Sequence, residues 1–483
     1  MTRLFFRRRS VESFAERIEV KVGVEEELFL IDRDGSLTRA ADDVIVKAAE
    51  LLESDSNLLE DCWRTVLGLD PEPNPAQIEY LTQPLPPDEV IEACEIGREL
   101  IKKAAEELGL QVMLESMHPF ESDPLPINGT HINVMVKLKD QPYMTPKQIL
   151  VVYNWLWHNL PIIIAATANT PYCCGGKNLA ASCRLLKSRV LKPNYYAAIK
   201  RLEKRPYLTK TQYYGRLRYR LRLRKDTEFE ERVVAHPDGR RLVDITPRGP
   251  ASNVTGDEND SPTRNRVEVR VIDNQKSMKY LHDVVMLIVG LSLEALYIYE
   301  VEGKLPPNDP NHFDNRREAI EKGINATFVI NGREIDAEDA LLKIISRVDK
   351  FLEHLGLRFV SPLKNGKVEL QERPKLNVEY VHKDVIKYIG NYAEVILGSN
   401  KTVEIKGKRY TIPKGTKVIG KLVPMASYKY RVDNKGFVKD IIKGVVTLGI
   451  KRNGVEIPLD ESDRIVNVMS ELEYLMRSMR GLL

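Results

Sequence analysis

Four short stretches of the chain alternate polar with apolar residues, and together they could line a single site. They are residues 23–27, 77–79, 129–134 and 266–270. Successive side chains of a β-strand point to opposite faces, so each stretch would present its polar side chains on one face. Those side chains belong to Glu25 and Glu27, Gln77 and Glu79, His131 and Asn133, and Arg266, Glu268 and Arg270.

These residue types suit a metal ion and a phosphate group. Carboxylates on adjacent strands repel one another unless a cation lies between them, and hard divalent ions prefer oxygen ligands. Arginine presents a planar fork of donors that matches phosphate. The four stretches therefore predict a metal–nucleotide site built on a sheet.

Each candidate also has a simpler explanation. Residues 25–27 could be a solvated acidic run, but apolar residues flank them on both sides, which favours metal ligation by Glu25 or Glu27, with Glu26 facing away. A lone histidine such as His131 is more often structural. Glu268 and Arg270 could form only a surface salt bridge.

For two further sequence patterns, a structural role is a simpler explanation than a binding or redox role. Residues 216–224 alternate arginine with Leu or Tyr, which could indicate nucleic acid or an anionic substrate, but a solvated or subunit-facing edge strand is the simpler interpretation. Cys173 and Cys174 precede Cys183 by about ten residues, and small buried thiols are more common than redox or metal sites. The sequence contains no Walker loop, dinucleotide fingerprint or Gly-x-Ser-x-Gly elbow.

Length and composition describe a large protein of balanced charge. Of its 483 residues 43% are hydrophobic, and the net charge is +4, which gives no case for a nucleic-acid or membrane partner.

Five cysteines without zinc-type spacing favour a reducing cytosol, and 29% charged residues are typical of thermophile proteins. The opening residues do not form a signal peptide, and the apolar run 284–299 is shorter than a membrane span. We therefore expect a soluble cytoplasmic protein.

The site residues must be positioned by helices and strands in mixed order. We expect helices at 41–53, 88–108, 146–168, 278–299 and 337–355, and a flap at 247–264. The predicted domains are a catalytic domain at 18–355, an appended or inserted β-rich module at 356–459, and a C-terminal helix at 460–483.

The order of these motifs resembles the second family of glutamate–cysteine ligases, also called carboxylate–amine ligases. The segments that carry the resemblance are 23–29, 77–79, 129–134, 169–171, 181–184, 244–247 and 266–273. The sequence departs from the family pattern where Cys183 replaces an aromatic residue before Arg184, and where Thr246 stands in place of a common Arg.

The resemblance implies an α+β, glutamine synthetase-like fold: a curved antiparallel sheet backed by helices. It also implies an ATP-dependent ligase that forms a γ-glutamyl amide through an acyl phosphate, with Mg²⁺ or Mn²⁺. The substrates would be small molecules, glutamate plus cysteine or another amine.

By motif position, the resemblance also implies roles for individual residues. The metal ligands would be Glu25, Glu27, Glu79, His131 and Glu268. The contacts to nucleotide, phosphate or substrate would come from Arg270, Arg266, Asn133 and Arg184, with Arg270 and Arg184 acting in catalysis.

Two other functions stay open at this point. A phosphotransferase of the guanidino-kinase type would release ADP without forming an amide. A non-catalytic binding or scaffold protein could use the arginine strand. The sequence identifies neither the amine nor the acyl donor, and it leaves a homo-oligomer open.

Overall fold

The computed structural model describes most of the chain. The described residues are 11–33, 35–72, 74–119, 127–173, 177–188, 193, 196–203, 207–213, 216–222, 229–234, 243–249, 262–306, 308–368, 392–405, 408–432, 438–452, 455–459, 463–469 and 474. Within them the chain is a mixture of helices and antiparallel sheets, which confirms the predicted α+β class. The predicted curvature of the sheet stays a prediction.

The helices and strands have the following bounds. The helices are α1 Ala41–Ser54, α2 Ser56–Thr65, α3 Val90–Glu107, α4 Pro146–His158, α5 Leu160–Thr167, α6 Cys183–Lys187, α7 Met278–Glu302, α8 His312–Lys322 and α9 Ala337–His354. The first strands are β1 Ile18–Ile31, β2 Val66–Pro71, β3 Gln77–Thr82, β4 Gln111–Met113, β5 Thr130–Leu138, β6 Tyr172–Cys173, β7 Lys177–Asn178, β8 Ala198–Glu203, β9 Tyr207–Tyr213, β10 Arg216–Arg222 and β11 Phe229–Val234. The later strands are β12 Ile245–Arg248, β13 Arg266–Ile272, β14 Thr327–Ile330, β15 Arg333–Asp336, β16 Tyr392–Ile396, β17 Lys401–Ile405, β18 Lys408–Ile412, β19 Lys417–Val432, β20 Val438–Arg452, β21 Val455–Pro458 and β22 Arg464–Met469.

A seven-stranded antiparallel sheet forms the centre of the first part of the chain. Its strands follow the order β12–β13–β5–β1–β3–β2, and β4 pairs with the end of β1. Alternate residues of β1, such as Val22, Val24 and Leu28, are completely buried in the main hydrophobic core. The close approach of α3 to the sheet needs Gly97, because a Cβ there would lie 2.6 Å from the Tyr80 ring.

The helix predictions at 41–53, 88–108, 278–299 and 337–355 are confirmed by α1, α3, α7 and α9. The prediction of one helix at 146–168 is wrong, because α4 and α5 are separate helices that meet at an angle of 60°. Pro161 lies in the first turn of α5. A proline there has no N–H to donate, and its ring opposes the carbonyl four residues earlier, so α4 cannot continue through it.

The arginine stretch forms a strand, as predicted. The backbone of β10 pairs with β9 in a two-stranded sheet, in which Arg216 is opposite Tyr213 and Arg222 is opposite Tyr207. Leu223 and Arg224 lie outside the described residues, as does the rest of the predicted flap between 250 and 261. The start of that flap is a correction, since Pro247 and Arg248 belong to β12.

The last part of the chain has its own sheet and its own core. Five strands follow the order β21–β20–β19–β16–β22 around buried residues such as Ala393, Val395 and Ile450. Residues 356–368, which we assigned to this module, instead contribute Leu357, Phe359 and Leu363 to the first core. The predicted helix at 460–483 is wrong at 464–469, where β22 pairs with β16.

Among the residues that the structure describes, one helix, α7, is long and apolar enough to cross a membrane, and the bent pair α4–α5 passes the same test if it is taken as one span. In α7, 72% of the most apolar window is buried inside the protein. That burial is what the central helix of a folded core shows.

Candidate active site

The strand register brings the predicted residues together on one face of the central sheet. Glu25 on β1 is opposite His131 on β5, and Glu27 is opposite Glu79 on β3. On the other side of β5, Glu268 of β13 is opposite Asn133. The alternation that the sequence predicts is therefore present, and four adjacent strands contribute to the site.

His131 lies at the centre of this face. Its Nδ1 is 3.5 Å from a Glu25 oxygen, 3.6 Å from Glu268 and 3.9 Å from Glu79, and its Nε2 is 3.7 Å from Glu27. The side chain is 3% exposed, and Nδ1 has no hydrogen-bond partner among the described residues. A buried polar atom without a partner costs about 1–3 kcal/mol, so this nitrogen is placed for a ligand.

Two groups of three residues could each hold a metal ion. They are Glu25, His131 and Glu268, and Glu27, Glu79 and His131, with the ligand atoms of each group within 4.8 Å of one another. Carboxylate oxygens with one imidazole are a donor set that suits Mg²⁺ or Mn²⁺. All five residues that the sequence predicts as metal ligands belong to these groups.

Glu268 is completely buried between two arginines. Arg270 Nη1 donates to its Oε1 at 2.6 Å, and Arg248 Nε donates to its Oε2. Burial alone would raise the pKa of Glu268, but the positive charges of Arg270 and Arg248, with His131, hold it well below its ordinary value. Glu268 is therefore an anion at any physiological pH.

Two groups near Glu268 have donors to spare. Arg270 Nε and Thr246 Oγ1 are buried and have no hydrogen-bond partner among the described residues. Thr246 is opposite Glu268 in the β12–β13 register, so both unpartnered atoms belong to the same corner of the sheet. Unpartnered donors beside a carboxylate cluster are what an anionic ligand such as phosphate requires.

Glu72 is a site residue that the sequence did not reveal. Burial, together with the charges of Glu27, Glu25 and Asp70 and against the opposing charge of Arg270, raises its pKa to about 8, which places Glu72 beside the predicted ligands. Burial and repulsion from Glu72, Glu25 and Glu27 likewise raise the pKa of Glu79 well above its ordinary value. Each of these carboxyl groups therefore holds its proton more tightly than a free one unless a cation compensates the charge of the cluster.

Asn133 and Arg266 form a chain of hydrogen bonds that ends at Glu25. Arg266 Nε donates to Asn133 Oδ1 at 2.7 Å, and Asn133 Nδ2 donates to Glu25 Oε1 at 3.1 Å. Both residues lie on the predicted face. Here they orient a carboxylate, and their contact with a nucleotide stays a prediction.

Arg184 lies behind the site strand. It is 2% exposed, and its guanidinium donates to the carbonyl oxygens of Arg270 at 2.8 Å and Ile272 at 3.3 Å. A Cβ on Gly129 would lie 2.0 Å from Arg184 Nη2, so a larger residue there would displace the guanidinium from this position. Arg184 therefore holds the β13 backbone, and its contact with phosphate or substrate stays a prediction.

Glu26 lies on the opposite face of β1, as expected. It is completely buried and accepts from Arg98 Nε at 2.6 Å, from Arg98 Nη2 at 2.7 Å, and from Tyr80 Oη at 3.0 Å. This ion pair links β1 to α3 beneath the site. The adjacent Glu26 and Glu27 thus have different roles, one inside the core and one on the site face.

Cys173 and Cys183 are both buried and lie in one small cluster with Met117. Neither cysteine is in a disulfide bond within the described residues. Cys174 lies outside the described residues. A structural role for the buried pair is consistent with the sequence interpretation.

The chain is similar to a number of solved structures. No family model and no curated protein matches this sequence. Among solved structures, "Apo GmaS without ligand" has 14% identity and a TM-score of 0.39 over 74% of this chain and 69% of that one. PafA, crystallised with the prokaryotic ubiquitin-like protein Pup whose ligase it is, has 14% identity and a TM-score of 0.37 over 77% of this chain and 64% of that one.

A third solved structure, a "novel glutamine synthase homolog", has 15% identity and a TM-score of 0.38 over 79% of this chain and 71% of that one.

Proposed function

We propose that this protein is an ATP-dependent carboxylate–amine ligase that forms an amide through an acyl phosphate. The γ-phosphoryl group of ATP would pass to a substrate carboxylate, giving ADP and an acyl phosphate. An amine nitrogen would then attack the carbonyl carbon, and phosphate would leave. The observation that carries this proposal is one sheet face that combines five metal-type ligands with unpartnered donors of Arg270 and Thr246.

The carboxylates and His131 fit divalent cations. Bound cations would neutralise the phosphate oxygens of ATP and so permit transfer between anions. Glu25 and Glu268 would hold one ion with His131, and Glu27 and Glu79 would hold the other. Burial and repulsion within the cluster together raise the pKa of Glu72 to about 8, and a bound cation would relieve the repulsion.

The arginines would act on the phosphate. Arg270 is anchored through Nη1 on Glu268, and its Nε remains available. An anchored guanidinium keeps its geometry during transfer and stabilises charge on an equatorial oxygen. The proposed chemistry needs no nucleophile from the protein, because the incoming amine performs the attack.

We further propose L-glutamate as the acyl donor, activated at its side-chain carboxylate, with cysteine or another small amine as acceptor. Support comes from the ordered motifs of the sequence. The substituted positions Cys183 and Thr246 leave the acceptor open. The protein would act in the cytoplasm on small molecules.

Hydroxylamine trapping tests both levels of the proposal. Incubation of the protein with ATP, Mg²⁺, glutamate and hydroxylamine should give glutamyl hydroxamate, whatever the natural amine is. Formation of a hydroxamate from a different acid, and not from glutamate, would refute glutamate as the acyl donor but support the ligase activity. If no acid gives hydroxamate, and phosphate is transferred to a guanidine compound instead, the protein is a guanidino-kinase-type phosphotransferase.

A matched pair of variants ties the activity to the site. Glu25→Gln should abolish hydroxamate formation, because it removes a carboxylate 3.5 Å from His131. Glu53→Gln changes an exposed carboxylate on α1 and should retain full activity. Equal activity in the two variants would refute the location of the site.

A further inference from the structure

A cavity of about 780 Å³ lies on the helical side of the first domain and shares no lining residue with the carboxylate face. Its walls come from the junction of α4 and α5, the start of α8, the β14–β15 hairpin and one face of α9. Ligand sites in proteins typically have volumes of about 300–1,000 Å³. We call it the helical cavity.

The helical cavity has an apolar floor. Trp155, Phe328 and Ile344 line it and are 6%, 0% and 2% exposed. They belong to the main core, so their positions are set by packing. An apolar side chain of a ligand could be buried against them, with a gain of about 25 cal/mol for each Å² removed from water.

The rim of the helical cavity carries charges of both signs. Asp339 and Lys343 lie one turn apart on α9, and both are exposed and line the cavity. Neighbours at this spacing on a helix can form an ion pair. Within the described part of the chain, neither has an ion pair or side-chain hydrogen bond. Asp339 and Lys343 therefore offer a carboxylate and an ammonium group, one helical turn apart, in the lining of the helical cavity.

This arrangement favours a ligand that carries both charges. Besides Asp339 and Lys343, the lining includes Asp309, Glu334, Asp336, Arg333 and Arg347, so a simple anion would meet carboxylates and a simple cation would meet basic groups. A zwitterion can place its ammonium group against the carboxylate and its carboxylate against the ammonium group. We propose that the helical cavity binds a free α-amino acid with an apolar side chain, as a regulatory ligand distinct from the substrates.

A short chain of contacts links the helical cavity to the active site. His312 and Asn315 line the cavity on α8, and the next residue, Arg316, donates two hydrogen bonds to Asp244, at 2.6 and 2.8 Å. The carbonyl oxygen of Asp244 accepts from the backbone N–H of Arg270 at 2.9 Å. A shift of α8 on binding would therefore act on the strand that holds Arg270.

Three forms of one probe test the proposal. Isothermal titration of the full chain without ATP should show binding of L-phenylalanine. N-acetyl-L-phenylalanine lacks the ammonium charge, and L-phenylalaninamide lacks the carboxylate. Each should bind at least about tenfold more weakly, since each loses one charge-assisted contact. L-leucine serves as a second probe with a smaller side chain.

Variants on α9 locate the binding. Lys343→Glu should weaken the binding of L-phenylalanine at least about tenfold, whereas Lys350→Glu, an exposed residue of the same helix outside the cavity, should leave it unchanged. Glu25→Gln should also leave it unchanged, which separates this ligand from any substrate in the active site. Binding of neither amino acid, equal binding of the blocked forms, or equal affinity in the two lysine variants would overturn the proposal. The result does not depend on the reaction that the active site performs.

Discussion

Glu26 and Glu27 are adjacent on β1, and replacing each with glutamine should distinguish an effect on metal binding from an effect on stability. Glu27 faces the site, where its carboxylate lies within 4.8 Å of the ligand atoms of Glu79 and His131. Two unit charges at that distance repel by roughly 3.5 kcal/mol at an effective dielectric constant of about 20. Since burial and repulsion raise the pKa of Glu79 well above its ordinary value and so disfavour its charged form, this figure is an upper limit. Glu27→Gln should therefore leave the metal-free protein as stable as the wild type, or more stable by up to about 3 kcal/mol.

The same change should weaken metal binding. Altering a residue one step removed from a metal typically costs 10- to 100-fold in affinity, so loss of a direct ligand should cost at least about 100-fold. At a Mn²⁺ concentration of 100 times the wild-type Kd, the wild type gains about 2.7 kcal/mol of stability and such a variant about 0.4 kcal/mol.

Glu26→Gln is the matched control. It breaks a buried ion pair with Arg98 and should cost about 3–5 kcal/mol, with metal affinity retained. Urea unfolding of both variants with and without Mn²⁺ measures the two effects separately. Equal loss of the metal-dependent gain in both variants would show that either change distorts β1, and the assignment of Glu27 as a ligand would be refuted.

Three further predictions concern turnover, acid stability and packing. Arg270→Lys should lower the rate of phosphate release about 10- to 1,000-fold with little change in stability, because lysine cannot reproduce the anchored fork; an unchanged rate would make the residue structural. Burial would raise the pKa of Asp283, but hydrogen bonds from residues 282, 360 and 361 hold this pKa below its ordinary value. The ionised carboxylate therefore stabilises the fold above about pH 4, and this contribution is lost on further acidification. Asp283→Asn should lower stability at pH 7 by about 1–3 kcal/mol and flatten the acid limb of a stability–pH curve, and an unchanged limb would contradict the reasoning. Gly290→Ala should destabilise the protein by about 1–3 kcal/mol in urea unfolding, since the new Cβ would lie 2.6 Å from Val348 on α9. An unchanged free energy of unfolding would mean that α7 and α9 can move apart at little cost.

The shared face of the site could be predicted because strand alternation fixes which side chains point together. Glu25, Glu27, His131 and Glu268 each lie within alternating apolar sequence, so their common direction follows from a period of two. Register could not be predicted in this way. It depends on pairing across strands that are more than a hundred residues apart, as between Glu25 and His131.

Residues outside regular patterns were missed for a different reason. Glu72 follows the last residue of β2 and has no periodic neighbours, so only the folded chain shows its proximity to Glu27. Arg248 lies in a stretch rich in Pro and Gly that reads as a loop, yet Ile245 to Arg248 pair with β13. The error at 464–469 arose because Ile465 and Val468 fit a helical stripe as well as a strand, and pairing with β16 decides between them.

The position of His131 between the two ligand groups has a consequence for metal stoichiometry. A neutral imidazole has one lone pair and one N–H, so the ring can coordinate a single ion unless it gives up its proton. The first cation to arrive would take the lone pair, and the second would find two carboxylates and the edge of an occupied ring. Cation binding should then occur in two steps of unequal affinity. If one cation arrives with a nucleotide, the weaker binding step would coincide with nucleotide binding, and the site would hold a single cation before the nucleotide binds.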